Sequence, residues 1–286
     1  MFAICCVRRH SILLESLKGW NLAALYDDIG RTYTARRQSD PRIAAAIECA
    51  LEGCRSILNV GAGSGSYEPR SREVIALEPS RTMISQRTVD AFPAVQGRAE
   101  ALPFADDSFD AVLGILTVHH WKDRDKGFAE CSRVARSRAV FLTNDFAVCA
   151  KFWLFDYFPE LLNADRHLFP DLSIYRDAFG AVETFAVPVP EDCIDGFLGA
   201  FWKRPHAYLD PLVRAGISTF AKIGDVQVRL ARLQSDIDSG VWQQRYADLL
   251  TRTSLDLGYR LVICDTQEKS RASSLDHTRF LLLPDE

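Results

Sequence analysis

No apolar stretch of this sequence approaches the roughly 20 residues that an α-helix needs to cross a bilayer. No basic run is longer than Arg36-Arg37, there is no acidic tail, and the net charge is −4. Sequence-independent nucleic-acid binding needs a basic stripe, so the charge argues against it. The eight cysteines are scattered, with Cys5-Cys6 the close pair, and neither Cys-x-x-Cys nor a Cys/His ligand spacing occurs. This argues against a disulfide framework and a structural metal, and for reduced thiols in a cytoplasmic protein. Met1 to Val7 is apolar but too short for a signal peptide, and Arg8, Arg9 and His10 follow the apolar part instead of preceding it. With 286 residues, 48% hydrophobic and 25% charged, the chain suits one elaborated domain or two small ones.

What is present is concentrated in Ser56-Ile57-Leu58-Asn59-Val60-Gly61-Ala62-Gly63-Ser64-Gly65-Ser66. The short apolar run with β-branched residues reads as a buried parallel strand. It ends in three alternate glycines, where the backbone must turn sharply and approach a bound molecule more closely than a Cβ allows. Glu73-Val74-Ile75-Ala76-Leu77-Glu78 reads as a second apolar strand ending in a carboxylate. A carboxylate at the tip of the neighbouring strand can accept hydrogen bonds from two ribose hydroxyls, so the pair points to a nucleoside-containing cofactor. Spacing narrows the choice. The dinucleotide fingerprint Gly-x-Gly-x-x-Gly would need glycine at Ser66, whereas the third glycine is Gly65. A phosphate loop would end in Gly-Lys-Ser/Thr, and no lysine is present.

The ordered motifs resemble the class I S-adenosylmethionine-dependent methyltransferases. They are Gly61-x-Gly63-x-Gly65, Glu78-Pro79-Ser80, Gly97-Arg98-Ala99-Glu100-Ala101-Leu102-Pro103-Phe104 and Ser108-Phe109-Asp110-Ala111-Val112. The resemblance implies S-adenosyl-L-methionine as donor and S-adenosyl-L-homocysteine as product. It further implies that Gly61, Ala62, Gly63 and Gly65 approach the methionine end and that Glu78 holds the ribose. Pro79 and Met83 would cover the adenine, Ala99 and Glu100 would lie at its edge, and Leu116 would border the cofactor. Two positions depart from the family, which commonly carries an acid at the positions of Asn59 and Arg98. Asparagine keeps a hydrogen-bonding oxygen without the charge, and arginine has no acceptor.

Strands over residues 57 to 61, 73 to 78, about 94 to 97, 109 to 115 and 138 to 144 alternate with helices, notably Arg81 to Ala91 and Asp125 to Ala135. Such alternation gives right-handed crossovers and a parallel sheet, with ligands outside the carboxyl ends of the strands. The expected fold is α/β and Rossmann-like: a mostly parallel seven-stranded sheet with an antiparallel last strand and a helical cap. Residues 1 to 20 read as an N-terminal arm and 21 to 286 as the methyltransferase domain. An aromatic-basic cluster (Tyr26, Tyr33, Arg36-Arg37) precedes Ser39-Asp40-Pro41, a cap and first-turn signal for the first long helix. Phe146 to Phe158 is aromatic-rich, with Pro159-Glu160 expected to break it. Residues 181 to 187 and 257 to 264 return to strand, with Arg279 to Leu283 a candidate. Between them, 191 to 255 read mostly helical, with Ile223, Val226, Leu230, Leu233 and Ile237 at helical spacing and Gly240 as stop. This stretch is expected to be a cap over the acceptor, inserted before the last sheet strands.

Thr117-Val118-His119-His120-Trp121 follows the fourth strand, where donor and acceptor must meet. Histidine titrates near neutrality, which makes His119 and His120 the candidate bases; the other reading is that they pack. Methyl transfer from a sulfonium is largely positioning, and a base is needed only if the acceptor loses a proton. The stretch Leu116 to His119 is unlike the Asn/Asp-Pro-Pro-aromatic motif of enzymes that methylate exocyclic amino groups of bases. The paired-glutamate loop of protein arginine methyltransferases is also absent. An acidic chain with an aromatic-rich cap points to a small, partly apolar acceptor, and the nearest resemblance is to methyltransferases of quinone and biotin-precursor synthesis. Two alternatives are a non-catalytic S-adenosylmethionine-binding regulator or scaffold, and a nicotinamide oxidoreductase, which Ser66 and Ala99 to Phe104 disfavour. The sequence sets neither the methylated atom nor the oligomeric state.

Overall fold

Ile57, Leu58 and Val60 of β1 (Ser56–Val60) expose no surface, so this strand is covered on both faces. It pairs in parallel with β2 (Glu73–Glu78) on one side and β4 (Phe109–Ile115) on the other. β3 (Ala94–Gln96) adds beside β2, and β5 (Ala135–Asn144) beside β4. β9 (Tyr259–Asp265) runs antiparallel to β5, and β6 (Val182–Ala186) runs antiparallel to β9. The sheet order is therefore β3-β2-β1-β4-β5-β9-β6. The last of the described strands is the reversed one, and it sits inside the sheet, between β5 and β6. This computed structural model describes residues 38–165 and 169–266. The arm, the Tyr26–Arg37 cluster and the Arg279–Leu283 strand expectation lie outside them.

Side-chain alternation along the strands feeds two cores. On one face α3 (Arg124–Val134) and α7 (Ser173–Phe179) bring Phe128, Tyr175 and Phe179 against Leu58, Val112 and Phe141. On the other, α1 (Pro41–Ala50) brings Ile43 and Ile47 against Ile57 and Leu113. Asp40 caps α1 by accepting from Arg42 N, and Pro41 occupies the first turn, as the sequence predicts.

One helical expectation is corrected, and the aromatic-rich stretch resolves into short helices. The helix after β2, α2, spans only Arg81–Ser85 instead of continuing to Ala91. Beyond it, the Arg87 side chain is drawn to Glu68 and to the Phe92 carbonyl, and β-branched Thr88 and Val89 add little helical preference. The aromatic stretch breaks into α4 (Phe146–Cys149) and α5 (Leu154–Tyr157), after which Pro159 opens α6 (Pro159–Asp165). Proline's fixed φ and missing N–H suit a first helical position, so it starts a helix here instead of only ending one.

Between β6 and β9 the chain forms a two-stranded ribbon, β7 (Val189–Pro190) with β8 (Ser254–Leu255). The intervening segment holds α8 (Pro211–Ala215), α9 (Gln227–Asp238), α10 (Val241–Arg245) and α11 (Ala247–Leu250). Its apolar residues do not form a separate core. Trp202 and Trp242, 0% and 1% exposed, belong to the same cluster as Ile47 and Ile57. Trp202 Nε1 donates to the Val189 carbonyl at 3.0 Å, and Trp153 Nε1 donates to the Trp202 carbonyl at 2.8 Å. Trp202→Ala should therefore cost about 3–5 kcal/mol of global stability. Denaturant melts followed by sheet and by tryptophan signals should stay coincident; a separate early transition confined to the inserted segment would contradict the shared core.

Candidate active site

The site is built where β2, β1 and β4 end side by side. Immediately after β1, Gly61, Gly63 and Gly65 adopt φ of +71°, +54° and +97°, a region costly for other residues. A Cβ at Gly61 would come within 1.8 Å of Thr117 Oγ1, so the turn after β1 lies flush against the turn after β4. The amides of Gly61, Ala62, Gly63 and Gly65 are spent within the protein. Gly61 and Ala62 donate to the Leu77 carbonyl at 2.8 and 3.1 Å, and Gly65 donates to Ala62 at 3.0 Å. Gly63 donates to Glu78 Oε2 at 2.8 Å. What the glycines leave open is close approach of the backbone, not a set of free donors.

Glu78 is buried at the end of β2 and also accepts from Ser80 N through Oε1 at 2.9 Å. Burial raises its pKa above 4.5, while the two backbone hydrogen bonds and the Arg87 charge oppose that rise. An ionised carboxylate offers about four lone-pair positions, so two remain for further donors. Ser80 caps α2 by accepting from Met83 N. Met83 is buried, and its methyl lies beside Gly63, while Pro79 is exposed. Ala99 is buried in the turn after β3. The Glu100 carboxylate is committed elsewhere, accepting from the amides of Lys122 (2.8 Å) and Asp123 (3.3 Å). It braces the turn after β4 instead of pointing along β3.

Leu116 has φ +48°, strained for a leucine, and its N–H is held by the Leu142 carbonyl at 2.8 Å. A 3₁₀ turn over Val118–His120 follows. His119 and His120 are half-buried with ring centroids 3.8 Å apart, and His119 lies 4.6 Å from the Phe169 ring. Burial lowers both imidazoles below 6.5, His120 to about 3, with Lys222 of the inserted segment adding to the effect on each. His120 and Arg124 depress His119 further. Both rings are therefore neutral at pH 7. His206 is exposed on the inserted segment.

Four contributors carry no local signature in the sequence. Thr117 packs the two turns together. Glu68 and Arg87 form a buried ion pair beside the loop at 2.7 Å. Tyr67, at φ +61°, donates from its hydroxyl to Asp195 of the inserted segment at 2.9 Å.

This geometry has counterparts. A family model described as a methyltransferase domain matches residues 58–143. A crystal structure from Anabaena variabilis, described as a "putative methyltransferase from antibiotic biosynthesis pathway", superposes with a TM-score of 0.75 at 34% identity. The match covers 80% of this chain and 98% of that one. The chain belongs to the class I S-adenosylmethionine-dependent methyltransferases. Among curated relatives of this methyltransferase, the uncharacterized methyltransferase YcgJ of Bacillus subtilis is 32% identical over 34% of this chain. Demethylmenaquinone methyltransferase of Renibacterium salmoninarum is 29% identical over 44% of it. The matches span only 42% and 59% of those relatives' own lengths. S-adenosylmethionine is the cofactor the family implies, and the buried Glu78 with open lone pairs beside a Cβ-free loop fits it. Among the described residues, no group of three or more His, Cys, Asp and Glu could hold a metal, and no helix is long and apolar enough to cross a membrane.

Proposed function

We propose that this methyltransferase transfers the methyl group of S-adenosylmethionine to a small-molecule acceptor by in-line displacement in the cytoplasm. The observation that carries the reading is the alignment of the glycine loop, Glu78 and the His119-His120 turn at the adjacent ends of β1, β2 and β4. When bound, the cofactor supplies a methyl carbon already activated by a positive sulfur.

The chain's part is positioning. Glu78 accepts the ribose hydroxyls while Gly63 N–H and Ser80 N–H hold its two oxygens in place. The backbone at Gly61, Ala62, Gly63 and Gly65 closes on the methionine end, and Pro79, Met83, Ala99 and Leu116 wall the nucleoside. Glu100 contributes by holding the turn after β4. Residues 191 to 255 cover the acceptor, reaching it through Lys222. His119 and His120 orient the acceptor as neutral rings, each with one nitrogen able to accept a hydrogen bond. A base whose pKa lies so far below the working pH is a weak one, so its proton is taken only from an acceptor made acidic by methylation. The net charge of −4 and the lack of a basic run support a small acceptor over nucleic acid.

Three outcomes test this reading, the first of them against a cofactor-binding scaffold. Incubation with cofactor and a protein-free metabolite extract should release S-adenosylhomocysteine; binding without release from any fraction would favour the scaffold. Replacing His119 or His120 by Ala should lower kcat roughly 10²-fold with cofactor affinity unchanged. The wild-type kcat should show no inflection near pH 6.5, because the rings are already neutral there; an inflection removed by either replacement would contradict the neutral-ring role. Glu78 sets the third outcome. Its raised pKa means that affinity for S-adenosylhomocysteine is full at neutral pH and falls on acidification before the usual carboxylate range is reached. Calorimetry should show Glu78→Gln weaker at neutral pH and flat with pH, wild type converging on it on acidification, and an unchanged affinity at neutral pH or an unchanged pH profile would sink the ribose assignment.

A further inference from the structure

One charged group beside the glycine loop has no part in the reading above. Glu68 and Arg87 meet at 2.7 Å with side chains 0% and 5% exposed. Arg87 also donates to the carbonyls of Gly63 (3.3 Å) and Phe92 (3.0 Å). A Cβ on Gly65 would fall 3.1 Å from Glu68 Oε2 and 3.2 Å from Arg87 Nη1, so the pair lies directly against the loop. A buried ion pair is weak evidence for stability, because desolvating both charges offsets much of their attraction. What the pair touches says more about its purpose.

Glu68 Oε1 accepts a hydrogen bond from Asn59 Nδ2 at 3.2 Å. Both oxygens of that carboxylate accept from Arg87 Nη2, at 2.8 and 2.7 Å, so it meets Asn59 as an acceptor and the NH₂ side of the amide faces it. Asn59 Oδ1 is thereby turned the other way. Asn59 lies on β1 two residues before Gly61 and is 1% exposed, and its Oδ1 has no hydrogen-bond partner among the described residues. A buried acceptor without a donor is costly in a finished structure and is completed where a ligand brings the donor.

We propose that Glu68, held by Arg87, is a positioning residue that fixes the Asn59 amide so that Oδ1 accepts from the ammonium at the methionine end of the cofactor. The inference rests on the cofactor reading of this site. The Glu68 and Arg87 charges offset one another, so the loop presents a neutral, oriented oxygen. Orientation is the function of the pair.

The test is calorimetry with S-adenosylhomocysteine on the full chain, reading Kd and stoichiometry, with melting temperature beside it. Glu68→Gln offers Asn59 either a donor or an acceptor and so releases the amide. Asn59→Asp sets two carboxylates face to face. Each single variant should raise Kd about tenfold or more, with Asn59→Asp also melting earlier. In the combined variant N59D/E68Q the glutamine amide donates to the new carboxylate and its oxygen faces Arg87. Kd should then return to within about threefold of wild type. A purely structural role would lower the melting temperature and the binding-competent fraction of the single variants but leave Kd unmoved. Wild-type Kd in either single variant overturns the proposal, as does a combined variant that fails to recover. If a single variant does not fold, recovery of both folded protein and Kd in the combined variant supports it, and absence of that recovery overturns it. A wild-type chain that does not bind the probe would instead bring down the cofactor reading itself.

Discussion

A single backbone hydrogen bond, from Gly63 N–H to Glu78 Oε2 at 2.8 Å, ties the turn after β1 to the tip of β2. The rest of the site follows from it. Because Glu78 is buried, its charge is tolerated only with donors around it, and Gly63 and Ser80 supply two. For Gly63 to reach Glu78, the loop must pass through positive φ three times, and at Gly61 it must pass flush against Thr117. Glycine is required by conformation and by space together. The two backbone donors fix the direction in which the carboxylate points.

The loop is supported from below and from the side. Below it lie Asn59, Glu68 and Arg87, whose bonds reach the Gly63 carbonyl. To the side, Tyr67 links the chain just past the loop to Asp195, while Ile194 N–H donates to Asp40 Oδ2 at 3.2 Å. Arg42 joins Asp192 at 2.6 Å. The inserted segment is therefore bonded to the same stretch of chain that shapes the cofactor loop, and Trp202 and Trp242 anchor it in the common core. Lys222, from that segment, sits within electrostatic reach of both His119 and His120. The glycine loop, the turn after β4 and the inserted segment are joined by these contacts.

The parts of this arrangement legible in the sequence are those with local causes. β1, β2 and β4 announce themselves as short apolar runs, the three glycines mark positive φ by their spacing, and Asp40-Pro41 marks a helix start. The place of Glu78 at the end of β2 follows from the apolar run before it. The rest depends on partners distant in sequence. Arg87 leaves the helical path because Glu68, nineteen residues earlier, attracts it, and α2 is shortened accordingly. The hydrogen bonds from the Lys122 and Asp123 amides to the Glu100 carboxylate span more than twenty residues and have no local signature. The two histidines carry their ordinary pKa in a sequence, and only the fold shows that burial and a distant lysine lower it. The aromatic residues at 191 to 255 look the same in a sequence whether they line a pocket or fill a core, and Trp202 and Trp242 fill a core.

The central claim is that the Gly63–Glu78 clasp belongs to the fold of the chain itself. Hydrogen exchange at the amides of Gly63 and Ser80 reads this directly, since both donate to the Glu78 carboxylate. In ligand-free protein they should exchange as slowly as the neighbouring amides of β1 and β2, and S-adenosylhomocysteine should slow them further. Fast exchange of both amides without ligand, with protection appearing only on binding, would contradict the account.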